Sequence, residues 1–269
     1  MAVAEQHAPS SLLAPDEPAP YEVIENSGRW PLVLACDHAS NRIPATLGSL
    51  GLGAEALDDH IASDLGAGAV TRHLSARLGA SAVLGNYSRL VVDLNRDLED
   101  PTAFPGISDG TLIPANLGLT VEVRAERARA LFKPYHEALR RVTQSVAAAG
   151  RAPVFISIHS FTPRQHGVFR PWQIGILWDK DARLPLPLLA TLRRHGDIRV
   201  GDNEPYSGRH PADFTIDHHA EPLGLAHVGI EIRQDLIASE DAQRLWADRL
   251  GEALELVLGD EGLYRPVTG

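Results

Sequence analysis

Three apolar runs of this chain end in polar residues of the types that hydrolysis requires: PLVLACDHASNRIP, VFISIHSF and HVGIEIRQD. His38 follows the first run, His159 lies in the second, and Glu231 is enclosed by Ile230 and Ile232 in the third. Two imidazoles and a carboxylate are the ingredients of a catalytic zinc site that leaves a position for water, with the carboxylate moving the proton. A lone histidine at a strand end is more often structural, and the chain has 12 histidines, so neither carries a metal assignment alone. Glu231 is different. A glutamate is almost never fully buried without a partner, so Ile-Glu-Ile calls for a cation, a metal or a proton-transfer role. Its structural alternative is an ion pair with Arg233, which strand alternation places on the same face.

A fourth run, YSRLVVDLNRD, ends in Asn95 and Arg96 and carries Arg89 near its start. An arginine fork there suits bidentate capture of a carboxylate, whereas the structural alternative pairs it with Asp93 or Asp97. Other chemistries lack support. There is no Gly-x-Ser-x-Gly elbow for a serine nucleophile, and the Gly48, Gly51 and Gly53 cluster lacks the Gly-Lys-Ser of a phosphate loop. Cys36 is the only cysteine, which excludes an internal disulfide and thiolate zinc clusters, so a metal must use histidine and carboxylate. The net charge of -10, with no dense Lys/Arg run, argues against nucleic acid as a partner. No signal-like N-terminus and no membrane-length apolar run is present, so a cytoplasmic protein without a membrane partner is expected.

The elements that must position these residues are short apolar runs alternating with longer amphipathic ones. Residues 31–36, 81–84, 90–94, 154–158, 173–178 and 228–232 read as strands, several apolar on both faces. Residues 54–78, 121–149, 182–195 and 240–258 read as helices, with Pro134 expected to bend the second. This alternation, in a chain of 269 residues with 44% hydrophobic and 22% charged residues, predicts a single α/β domain with a central mixed, mostly parallel sheet. Residues 1–28, rich in Ala, Pro and acidic side chains, read as a flexible N-terminal arm ahead of a domain spanning 29–269. Ligands of such sheets gather at the carboxyl ends of strands, where His38, His159 and Glu231 fall.

From about Tyr21 onward the chain resembles the N-formylglutamate amidohydrolase family, which is distantly similar to zinc carboxypeptidases and aspartoacylases. The motifs that carry the resemblance are CDHASNRIP, LDDHIASDLGA, YSRLVVDLNRD, ISIHSF, DNEPYSG, TIDHHAEPLGL and HVGIEIRQDLI. It implies a three-layer, carboxypeptidase-like fold, zinc or a similar divalent metal on His38 and His159, Glu231 as catalytic base, and Asn95 and Arg96 gripping the substrate carboxylate. It further implies His218 in the substrate pocket as a catalytic group; Tyr206 and Arg209 lie in the same polar stretch and are candidates for substrate contact, and Arg89 is a cation that would stabilise an oxyanion. Carboxypeptidase-like enzymes carry a glutamate ligand three residues after the first histidine, where this chain has Asn41. Asp58, His60 and Asp64 are the substitutes, with Asp58 ranked first and Asp64 particular to a subgroup. The implied reaction is hydrolysis of a small-molecule N-acyl amino acid, N-formyl-L-glutamate giving formate and glutamate. The alternatives are another N-acyl amino acid or small amide, or a carboxylate-binding protein without catalysis.

Overall fold

The central strands are buried and largely apolar because both faces of their sheet are covered. In the computed structural model, which describes residues 12–194, 196–211 and 213–267, they are β1 (Tyr21–Ile24), β2 (Leu32–Cys36), β3 (Ser81–Gly85), β4 (Val154–Phe161), β5 (Ile174–Leu177), β6 (Val200–Asp202) and β7 (His227–Arg233). Their order is β1-β3-β2-β4-β7-β5-β6. β2 runs parallel to β3 and β4, β4 to β7, and β5 to β6, whereas β1 against β3 and β5 against β7 are antiparallel. Leu32, Leu34 and Cys36 of β2 join one core, against α2 (Ala67–Leu78), α5 (Pro185–Arg193) and α7 (Glu240–Val257). Val33 and Ala35 join the other, against α4 (Lys133–Ala147) and α6 (Phe214–His219). The result is a three-layer α/β domain whose sheet is mixed and mostly parallel, as the sequence pattern predicts.

Four expectations are corrected. The helix read over 54–78 is two: a short α1 (Ala54–Leu57) and α2, separated by irregular chain. Gly66 turns the chain into α2 at φ +80°, and a Cβ there would meet the Ile237 carbonyl oxygen at 2.4 Å. Residues 90–94 are no strand but a buried loop. Their apolar side chains enter the second core, and the Leu90 and Val91 carbonyls accept hydrogen bonds from Asn116 Nδ2 (2.7 Å) and Arg127 Nη1 (3.1 Å). Side chains thus do here what a neighbouring strand would do, and an apolar run this short does not distinguish the two cases. The long helix expected over 121–149 is broken into α3 (Val121–Arg127), a π-helical turn over Ala128–Phe132, and α4. Pro134, at the start of α4, has no N–H to donate to the preceding turn, so the ladder widens just before it.

The last correction concerns the arm. Tyr21–Ile24 pairs with β3 along the sheet edge, Leu12 is buried, and Tyr87 donates its hydroxyl to the Pro18 carbonyl (2.8 Å). These residues belong to the domain, and residues 1–11 of the expected arm lie outside the described residues. Among the described residues no helix is long and apolar enough to cross a membrane.

Candidate metal and hydrolytic site

Parallel register brings the chemistry to one edge. Glu231 of β7 lies directly beside His159 of β4, and Ala35 of β2 lies beside Ser157 of β4, so the chain leaving β2 carries Asp37 and His38 to the same place. Asp64 arrives from the irregular segment before α2, where its N–H donates to the His38 carbonyl (2.9 Å). Its Oδ2 stands 2.8 Å from His159 Nδ1 and 3.3 Å from His38 Nδ1. The three donor atoms lie within 4.8 Å of one another and all three residues are buried.

This group fits a zinc-type ion on its own chemistry. Tetrahedral zinc with ligand distances of about 2.0–2.2 Å separates its donor atoms by roughly 3.3 Å, and the two spacings from Asp64 Oδ2 to the ring nitrogens, 2.8 and 3.3 Å, are close to that. Both histidines turn Nδ1 inward, and their outer nitrogens face further carboxylates: His38 Nε2 is 2.8 Å from Asp93 Oδ1, and His159 Nε2 is 3.3 Å from Asp37 Oδ2 and 2.8 Å from Ser157 Oγ. Asp37 in turn accepts from Thr215 Oγ1 (2.7 Å). Such outer carboxylates fix the tautomer of a metal-binding imidazole and raise its basicity. Arg89 ties the two acids together, donating to Asp64 Oδ1 (3.0 Å) and, through Nε and Nη2, to Asp93 Oδ2 (3.3 Å each).

The charges around the group favour a positive centre. Burial and Arg89 oppose charge on His38, but Asp93 and Asp64 overcome them and its pKa is raised. Burial likewise opposes charge on His159, yet the hydrogen bonds of Asp37 and Asp64 lift it well above the ordinary value. Burial works against ionised Asp64 as well, but His38 and Arg89 hold it well below the carboxylate range. Glu231 goes the other way: burial raises it to about 7, countered by His159 and supported by Asp64. Its Oε2 is buried without a hydrogen-bond partner, because Arg233 turns away to Asp235 (2.8 Å). A buried carboxylate with an unpartnered oxygen and a pKa near neutrality, beside the His38–Asp64–His159 group, is suited to exchange protons.

His38, Asp64, Asp93, His159 and Glu231 line a cavity of about 640 Å³. Arg89, Asn95, Arg96 and Tyr206 line it, and His60 stands at its rim, bonded through Nε2 to Asp109 Oδ2 (3.0 Å) and through Nδ1 to Asp59 Oδ1 (2.8 Å). Arg89 nevertheless directs its guanidinium to Asp64 and Asp93, which is the structural pairing. Tyr206 accepts from Arg170 Nη1 (2.9 Å), and the Asn95 side-chain oxygen accepts from the Thr215 N–H (2.8 Å). A second cavity, of about 730 Å³, lies near Lys180, Glu221 and His227, away from the His38–Asp64–His159 group.

Three expected site residues are elsewhere. Asp58 is exposed at the end of α1, where its Oδ1 accepts from Asn41 Nδ2 (3.1 Å), and Asn41 also donates to the Leu57 carbonyl (2.9 Å). Asn41 and Asp58 therefore bind each other, and it is Asp64 that groups with His38 and His159. His218 is exposed on α6, its ring stacked on Phe214 at 5.1 Å, outside the cavity. Arg209 is exposed and does not line the cavity. The structure adds Asp37 and Asp213 to the site. Asp37 adjoins His38 in CDHASN, a signal that was visible; buried Asp213 lines the cavity and caps α6 by accepting from the Ile216 N–H (3.0 Å), a place only the fold reveals.

The family profile described as N-formylglutamate amidohydrolase matches residues 30–238. Among solved structures, gene product Atu2144 from Agrobacterium tumefaciens is similar over 92% of this chain and 98% of its own, with 40% identity and a TM-score of 0.89. N-formylglutamate amidohydrolase from Ralstonia eutropha JMP134 shares the fold over 93% of this chain and 100% of its own, with 20% identity and a TM-score of 0.62. No curated protein matches the chain. With the profile spanning most of the sequence, from the strand that leads into His38 to beyond the one that carries Glu231, the chain belongs to the N-formylglutamate amidohydrolase family.

Proposed function

We infer that this protein hydrolyses the amide bond of an N-acyl amino acid, N-formyl-L-glutamate being the simplest candidate, in a metal-dependent reaction. The observation that carries the reading is the buried His38–Asp64–His159 group with the unpartnered Glu231 oxygen beside it, in a chain of this family. Those three residues would hold a zinc-type ion, which would supply Lewis-acid polarisation of the acyl carbonyl and of water. Glu231 takes the proton from the attacking water and returns it to the departing amine, as a base whose pKa lies close to working pH can do. Water adds to the acyl carbon, the C–N bond breaks, and the products are a carboxylic acid and an amino acid.

Arg96, with Asn95 beside it on the cavity wall, is assigned to the substrate carboxylate. Arg89 serves the reaction indirectly, because its guanidinium holds Asp64 and Asp93 in the orientations their histidines need. Tyr206 lines the mouth of the cavity and contributes contact to the bound substrate. The test is formate and glutamate release from N-formyl-L-glutamate by protein stripped with chelator and reloaded with zinc. Activity lost on stripping and restored on reloading supports the reading; turnover indifferent to chelator, or none with any N-acyl amino acid, overturns it.

A further inference from the structure

The cavity is larger than the simplest substrate needs, and its rim is a built feature. Cavities of about 300–1,000 Å³ enclose drug-sized molecules, whereas N-formylglutamate is one amino acid with a one-carbon acyl group. The volume here is about 640 Å³. Two small hairpins contribute to the mouth, Ile107–Ser108 paired with Thr111–Leu112 and Arg164–Gln165 paired with Val168–Phe169. Each is closed by two residues at positive φ, Asp109 and Gly110 in one, His166 and Gly167 in the other, the tight turn that suits strand twist. Asp109 then pins the turns to each other and to the body, with Oδ1 3.5 Å from His166 Nδ1 and Oδ2 3.0 Å from His60 Nε2. The Ile113 N–H donates to the Gly106 carbonyl (2.9 Å) at the base of the first hairpin.

The rim also has a chemistry of its own. Ile107 lines the cavity yet is 63% exposed, an apolar side chain that a ligand would cover. Ser108 and Gln165 beside it offer neutral donors and acceptors. Asp109 lines the cavity beside them and disfavours an anionic group there. Apolar contact with neutral hydrogen bonding fits an amide-bearing chain.

Resting on the hydrolytic reading above, we propose that the acyl part of the substrate extends well beyond formyl, as a neutral aminoacyl or peptidyl chain laid along Ile107, Ser108 and Gln165. The reaction is unchanged in kind: water adds to the acyl carbon, the C–N bond to the terminal amino acid breaks, and the shortened acid and free amino acid leave.

The experiment compares N-acetylglycyl-L-glutamate with N-formyl-L-glutamate, and both with the Ile107→Ser variant. Glutamate release should give a kcat/KM higher by about tenfold or more for the longer substrate, an advantage of the size a few extra pocket contacts provide, and the variant should reduce that ratio several-fold. Calorimetric binding of the same two compounds to the Glu231→Gln protein should show the same order. Hydrolysis and binding that favour the formyl compound overturn the proposal while leaving the hydrolytic reading standing; no hydrolysis of either compound overturns the proposal and removes N-formyl-L-glutamate as the candidate substrate, while the hydrolytic reading falls only if no N-acyl amino acid is turned over.

Discussion

Two pairs of buried histidines lie on different sides of this molecule's chemistry. His38 and His159 sit at the sheet edge among Asp37, Asp64 and Asp93, and their pKa values are raised against the pull of burial. His136 of α4 and His219 of α6 lie behind them, bonded Nδ1 to Nε2 at 2.9 Å and packed with Phe132, Phe214 and Phe155. There burial dominates, driving His136 down to about 4 and His219, with the further repulsion of His136, to about 3. The difference teaches that burial alone favours a neutral imidazole, whereas converging carboxylates favour positive charge on it.

The comparison can be broken most directly at Asp64. Replacing it by Ala should abolish stoichiometric zinc binding, while a His219→Gln variant should keep the parent's metal content by elemental analysis. Equal metal loss in both would erase the distinction. A smaller effect is expected at Asp93→Asn, which keeps the shape but removes the charge behind His38. Zinc affinity should weaken by about 10–100-fold, the cost usual for losing a carboxylate that holds a metal-binding imidazole. An affinity unchanged in competition with a chelator would show that His38 needs no such support.

Next comes proton release. Imidazoles with raised pKa values must shed protons to bind metal, so zinc binding near pH 7 should release protons, measured by calorimetry in buffers of different ionisation enthalpy. No dependence on buffer would contradict the electrostatics assigned to the edge pair.

The His136–His219 pair gives the smallest effect, and its sign is opposite to that of a raised histidine. The ordinary value is 6.5 and the folded values are about 4 and about 3. The unfolded chain therefore binds more protons below 6.5, and stability is full above that pH and falls as pH drops toward 4, by up to about 1.4 kcal/mol per pH unit for each histidine. Denaturant midpoints of a His136→Gln, His219→Gln double variant should fall less steeply over this window than those of the parent. Parallel pH slopes would refute the assignment.

How much of this was legible in the sequence depended on whether local pattern and tertiary role agreed. Strands covered on both faces are continuous apolar runs, so β2, β4 and β7 and the polar residues at their ends could be read directly. Asp64 could not be singled out, because the periodicity of residues 54–78 is that of one helix and hides the irregular segment that delivers it to His38. The run 90–94 looked like a strand because only Asn116 and Arg127, distant in sequence, reveal that its carbonyls are bonded by side chains. His218 adjoins His219 in the sequence, yet one turns outward and the other inward, a choice made by helix α6 packing on α4.

The most direct test of the whole account is the Glu231→Gln variant, assayed together for zinc content and for hydrolysis of N-acyl glutamates. Because Glu231 is assigned to the proton and not to the metal, zinc should stay at the parent's stoichiometry while kcat falls by about 10²–10⁴-fold. A variant that keeps most of its turnover, or that loses the metal along with it, would contradict the account.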